Sequence, residues 1–127
     1  MNTKDSIYHQ HEENTEWISK LNFYKDEIRI LSGRLEEIAN KNNSKDTLAQ
    51  VERFQNQFVV QRNNLDEVLH NVKINEDFLQ QEININPTAA DHKKADYHNN
   101  EKQQVVSFEK TFIDLKDNFN DFAAKWL

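Results

Sequence analysis

The stretch VVSFEKTFIDLKDNFNDF, residues 105–122, sets Val105, Phe108, Phe112, Leu115, Phe119 and Phe122 at alternating steps of four and three. Those steps carry all six onto one face of an α-helix, and sustained alternation of this kind is the seam of a coiled-coil-like bundle. Extended forward, the seam reaches Trp126. Extended backward, it meets Glu101 and His98, then Lys94 and Asp91. A helix is predicted from about Ala89 to Trp126.

Two further helices precede it. From about Lys4 to Lys41, Ile7, Trp17, Ile18, Leu21, Tyr24, Ile28, Leu31, Leu35 and Ile38 recur at helical spacing. The segment NKNNSKD (40–46) breaks the pattern. Its Asn, Ser and Asp side chains compete for backbone hydrogen bonds, so a new N-cap is expected at Ser44, Asp46 or Thr47. The second helix is predicted from about Thr47 to Ile83. Its seam is Leu48, Val51, Gln55, Phe58, Arg62, Leu65, Leu69, Val72, Glu76, Leu79 and Ile83, with three polar interruptions. NINPTAAD (84–91) ends it, because Pro87 cannot continue a helix and disfavours helical geometry at Asn86. Thr88 and Asp91 have the spacing of a capping box.

Composition supports the helical reading. One glycine and one proline leave too few turns for a β fold. Mean hydropathy is -0.97 and 30% of residues are charged, yet the apolar residues are ordered and include eight Phe. Helices of about 38 residues are roughly 57 Å long. Short connections between equal helices force antiparallel neighbours. The expected fold is therefore all-α: one domain, 1–127, an elongated up-down-up antiparallel three-helix bundle with coiled-coil-like packing.

The net charge of -6, without a basic cluster, argues against nucleic acid. No apolar run is long enough for a membrane span, and the N-terminal residues do not read as a secretory signal. Zero cysteines exclude disulfides and thiolate metal sites. A cytoplasmic protein is expected.

Antiparallel register collects the polar breaks at one end. Folding about the first loop brings His11 near Glu76. Folding about Pro87 brings Glu76 near His98, with Glu101 one turn inward. His9, Glu12, His70 and His92 flank the same end. The opposite end collects Leu35, Ile38, Leu48, Val51, Phe119, Phe122 and Trp126. Three readings of the polar end stay open: a solvated bundle terminus, a hydrogen-bonded layer that fixes register, or a metal site. For the last, His11, Glu76, His98 and Glu101 are the candidate ligands, of a type suited to Zn or Fe. If His11 and His98 are charged and paired with Glu76 and Glu101, their folded-state pKa values should rise.

Arg62 is expected to form a structural ion pair with Asp26, Glu27 or Asp66. Trp17 and Trp126 are expected to fill the core at opposite ends. Gly33 would mark a close helix contact or a mild bend. Phe23 and Ile30 lie off the first seam, and Val106 and Ile113 lie off the third, each pair seven residues apart. The four are expected to form one apolar strip that either closes a groove or docks a second copy or a partner helix.

The segments WISKLNFYKDEIRILSGRLEEIANKN, VERFQNQFVVQRNNLDEV and FEKTFIDLKDNFNDFAAKWL resemble small, uncharacterised His- and Glu-rich helical proteins of bacteria. That likeness covers most of the chain and implies a helical fold without assigning an activity. In architecture the chain is also similar to a spectrin-type repeat, with three long helices and a Trp in the first, though without tandem copies. The expected function is a non-enzymatic helical interaction or scaffold module that self-associates, with a small metal-binding or metal-responsive protein as the alternative.

Overall fold

Among the described residues three helices follow one another: α1 (Thr3–Lys41), α2 (Lys45–Ile85) and α3 (His92–Ala123). This computed structural model describes residues 3–85 and 92–126, with side chains over 7–82 and 97–126. The turn expected around Pro87, its Thr88–Asp91 capping box and the start expected near Ala89 fall outside the described residues. Among the described residues there is no strand, and no helix is long and apolar enough to cross a membrane.

The seams account for the packing. On α1 the inward residues are Ile7, Gln10, Asn14, Trp17, Leu21, Tyr24, Ile28, Leu31, Leu35 and Ile38, an unbroken alternation of three and four. On α3 they are His98, Glu101, Val105, Phe108, Phe112, Leu115, Phe119 and Phe122, as the sequence predicts. On α2 the strict seam is Thr47, Val51, Phe54, Phe58, Gln61, Leu65, Val68, Val72, Asn75 and Leu79. It lies one residue earlier at five places than the seam drawn from sequence, with Thr47, Phe54, Gln61, Val68 and Asn75 in place of Leu48, Gln55, Arg62, Leu69 and Glu76. Gln55 is exposed, while Arg62 and Glu76 are half-buried on its flank. α2 packs against both other helices, so Leu69 on its flank is buried as well and the apolar stripe is broad.

Two expected core residues stand outside. Leu48 is exposed because it lies one residue off the seam through Thr47 and Val51; α2 starts at Lys45, with Ser44 as the cap whose carbonyl accepts the Leu48 N–H at 3.0 Å. Thr47 takes the seam position instead. Trp126 is exposed because α3 ends at Ala123. Its N–H bonds to the Ala123 carbonyl, three residues back, and that tighter turn rotates the indole off the helical phase.

Register is written in the polar contacts. Asn14 meets Glu76 and Lys25 meets Asp66, so α1 and α2 run antiparallel. Asn75 meets His98 and Phe58 meets Phe119, so α2 and α3 do also. α1 and α3 are parallel, and three ion pairs tie them, each spanning the same 89 positions as Glu27–Lys116. Lys102–Glu13 measures 3.8 Å, Lys20–Glu109 3.1 Å and Lys116–Glu27 2.6 Å. They recur every seven residues with alternating sign, as flanking charges do between parallel coiled-coil helices. Each contributes roughly 0.2–1 kcal/mol, so the row selects register more than it adds stability. Tyr24 donates to Glu109 at 2.9 Å from the seam, and burial, then that bond, push its hydroxyl pKa up to about 12.

Arg62 lies 3.4 Å from Asp66, which Lys25 also reaches at 3.4 Å, so its role is a surface ion pair. Gly33 makes no close helix contact: a Cβ built there meets nothing within 4 Å, and its φ is not positive. Gly33→Ala should therefore raise the unfolding free energy by about 1 kcal/mol, through helix propensity alone. Urea melts of the two proteins check this.

Candidate functional site: a polar layer across three helices

The polar end of the bundle is dry at its centre. Asn14, Asn75, His98 and Glu101 are 0%, 3%, 4% and 2% exposed. They are brought together because each occupies a seam position near the same height. Burial of such groups is costly unless they bond to one another, and most of them do.

The bonds form a chain. Asn14 Nδ2 donates to Glu76 Oε1 at 3.3 Å. Asn75 Nδ2 lies 3.3 Å from Asn14 Oδ1 and 3.0 Å from His98 Nδ1. His98 Nε2 lies 3.1 Å from Glu13 Oε1, which His9 Nε2 also approaches at 3.3 Å. At the other edge His11 Nδ1 contacts Glu76 Oε2, and Gln80 Nε2 donates to the same oxygen at 3.3 Å. Trp17 stacks on the His98 ring, with centroids 4.8 Å apart and planes 24° from parallel.

The His11–Glu76 pairing predicted by register is present. His98 does not pair with Glu76 or Glu101. Its carboxylate is Glu13, on the flank of α1 that faces α3. Glu101 bonds instead to Tyr97, one turn away on its own helix, and its Oε2 has no hydrogen-bond partner among the described residues. The four residues considered as metal ligands thus fall into three separate pairings. Among the described residues no group of three or more His, Asp or Glu is placed to hold a metal ion, and none of the four is assigned as a ligand. His70 is exposed on the outer face of α2.

The expected rise in the His98 pKa is reversed. Burial lowers it, and the bond to Glu13 offsets that only in part. Burial likewise raises the Glu101 pKa above the usual carboxylate range, against the smaller opposing effect of the Tyr97 bond. A seam of imidazole and carboxyl groups in a dry core favours their neutral forms.

Asn14 and Asn75 carry the centre of the layer and were missed in the sequence, although the signal was there. The step pattern running back from Leu21 and Trp17 lands on Asn14 and then Gln10. The pattern running forward from Val68 and Val72 lands on Asn75.

A second feature lies on the outer surface. Phe23, Ile30, Val106 and Ile113 are 60%, 49%, 59% and 43% exposed. Phe23 is three residues from Lys20 and four from Glu27. Val106 and Ile113 have the same relation to Lys102, Glu109 and Lys116. Helical residues three and four apart are surface neighbours, so the apolar side chains border both sides of the ion-pair row. The row also fixes heights: Phe23 of α1 and Ile113 of α3 are level to within a residue. The strip therefore does not close the groove between α1 and α3, since the ion pairs already do that.

Comparison with protein-family models, with curated proteins and with solved structures finds no match for this chain.

Proposed function

We propose that the chain is a non-enzymatic helical interaction module that self-associates through the outer face of α1 and α3. The observation carrying this reading is the strip of Phe23, Ile30, Val106 and Ile113, left in water beside a row of satisfied ion pairs. Exposed apolar patches of this kind on water-soluble folds mark contact surfaces. The strip suits an isologous contact. A two-fold axis parallel to the helices keeps heights equal, so Phe23 of one copy meets Ile113 of the other, twice. Two hollows between α2 and α3, of 310 and 370 Å³, are open grooves in which amides and hydroxyls such as Gln61, Gln104 and Thr111 alternate with Val68, Phe108 and Leu115.

Sedimentation equilibrium tests the reading. The wild type should dimerise, and more strongly with added salt, because two copies of net charge -6 repel. Phe23→Glu with Ile113→Glu should be monomeric and still helical, since exposed substitutions change stability by only about 0.5 kcal/mol. A wild type that stays monomeric at high concentration defeats the proposal.

A further inference from the structure

The bonds across the polar layer have a direction, and one residue sets it. An ionised Glu76 can only accept, so Asn14 must turn its amide NH₂ toward Glu76 Oε1, 3.3 Å away. Asn14 Oδ1 then faces Asn75, which must present its own NH₂ at 3.3 Å. The same Asn75 nitrogen lies 3.0 Å from His98 Nδ1. That ring nitrogen must accept, so it carries no proton. The ring proton is left on Nε2, where it donates to Glu13 Oε1 at 3.1 Å. Every donor in the chain meets an acceptor in this arrangement alone.

We propose that Glu76, acting through Asn14 and Asn75, holds His98 as the neutral Nε2–H tautomer, so that the layer is a directional hydrogen-bond relay spanning all three helices. A proton on Nδ1 would face the Asn75 NH₂, donor against donor. Relief requires the Asn75 amide to reverse and offer its oxygen. Asn14 must then reverse to donate to that oxygen. Its own oxygen would then face Glu76 Oε1, acceptor against acceptor. Charging His98 therefore runs against the direction that the Glu76 carboxylate imposes on both amides, although the two residues do not touch.

The surroundings act on both ends. Facing the His98 ring are Glu13, His9 and Trp17 from α1, Asn75 from α2, and Lys102 with the neighbouring Tyr97 and Glu101 from α3. Facing Glu76 are Asn14 and His11 from α1 and Gln80 on α2. Glu13 favours a charged ring, while burial, Lys102 and His9 oppose it. The relay adds to the opposition, and it is separable from them by sign.

Glu76→Gln separates the two effects. A glutamine offers either an oxygen or an NH₂ to Asn14, so the relay can run in both directions and the barrier to protonating His98 falls. The His98 midpoint, followed by ¹⁵N and ¹³C NMR of the imidazole, should then rise by about one pH unit, a tenfold gain in proton affinity. Direct electrostatics has the opposite sign, because losing a nearby negative charge lowers a histidine pKa. An unchanged or lowered midpoint overturns the proposal. The wild type gives an independent reading that needs no variant. At neutral pH its His98 spectrum should show a bare Nδ1 and a protonated Nε2, and a protonated Nδ1 or a mixture of tautomers overturns the proposal equally.

Discussion

Phe119→Ala should lower the unfolding free energy by about 3–5 kcal/mol, the largest loss expected from a single side chain here. The ring is 0% exposed. It is held edge-on by Phe54 at 5.6 Å and Phe58 at 5.4 Å, and lies 6.5 Å from Phe122. Truncation removes the ring's transfer energy and leaves a cavity that two helices must collapse to fill. Edge-to-face pairs add roughly 0.5–1.5 kcal/mol each beyond area, and two are lost. Whole domains are stable by about 5–15 kcal/mol, so the variant should be close to half-unfolded in mild denaturant. Val59→Ala is the control: its side chain is 59% exposed on α2, away from the strip on α1 and α3, and its loss should be within about 0.5 kcal/mol. Urea melts of the three proteins decide. Equal small losses at both positions would mean that the aromatic end is not the core of the bundle.

That contrast was legible in the sequence because α3 is written without a gap. Six apolar residues in eighteen leave one phase for the helix, and the structure keeps it. α2 was legible only in part. Val68 and Leu69 are both apolar, so a seam through either fits the pattern, and Gln55, Arg62 and Glu76 extend the second choice. The third helix decides between them, because α2 needs a stripe broad enough for two neighbours. The ends were the least legible. Ser44 was among the caps expected for α2, but Leu48 and Trp126 satisfy the spacing, and the pattern cannot register that the α2 seam runs through Thr47 or that α3 tightens after Ala123.

The candidate site shows the same division. Height along a bundle follows from counting residues away from a loop, and counting put His11 beside Glu76. Rotation about each helix does not follow from counting. Glu13 and Glu76 lie on different flanks of their helices, and only the flank of Glu13 reaches His98. The sign of the His98 shift depends on burial as well as on partners. A ring stacked under Trp17 and 4% exposed loses more from dehydration than Glu13 returns. The apolar strip was legible as four residues off the seams. Its fate depended on charges at Lys20, Glu27, Glu109 and Lys116, which close the groove that Phe23 and Ile113 were free to close.

Glu101→Gln should stabilise the protein at neutral pH by about 1–2 kcal/mol, the gain expected when a buried group no longer has to ionise. Glu101 is 2% exposed, Tyr97 is its bonding partner, and its Oε2 has none among the described residues. Burial raises its folded pKa above the unfolded value. The folded chain therefore binds this proton more tightly than the unfolded chain does. As pH rises past about 4.3, the unfolded state ionises first, and stability falls until pH passes the folded value. Above that the penalty is complete. Glutamine has the same shape and no proton to lose, so it escapes the whole fall. His98 contributes an opposite slope: its folded pKa is lowered, so its share of stability is present above about 6.5 and is lost as pH falls below it. Wild-type melts alone would mix the two. The difference between the Glu101→Gln and wild-type unfolding free energies cancels the histidine, because both proteins carry it. That difference should be near zero at pH 4, grow as pH rises, and level off. A difference that is flat across the range would place an ionised, solvated carboxylate at position 101. A loss of stability at every pH would mean that the carboxylate has a partner glutamine cannot replace.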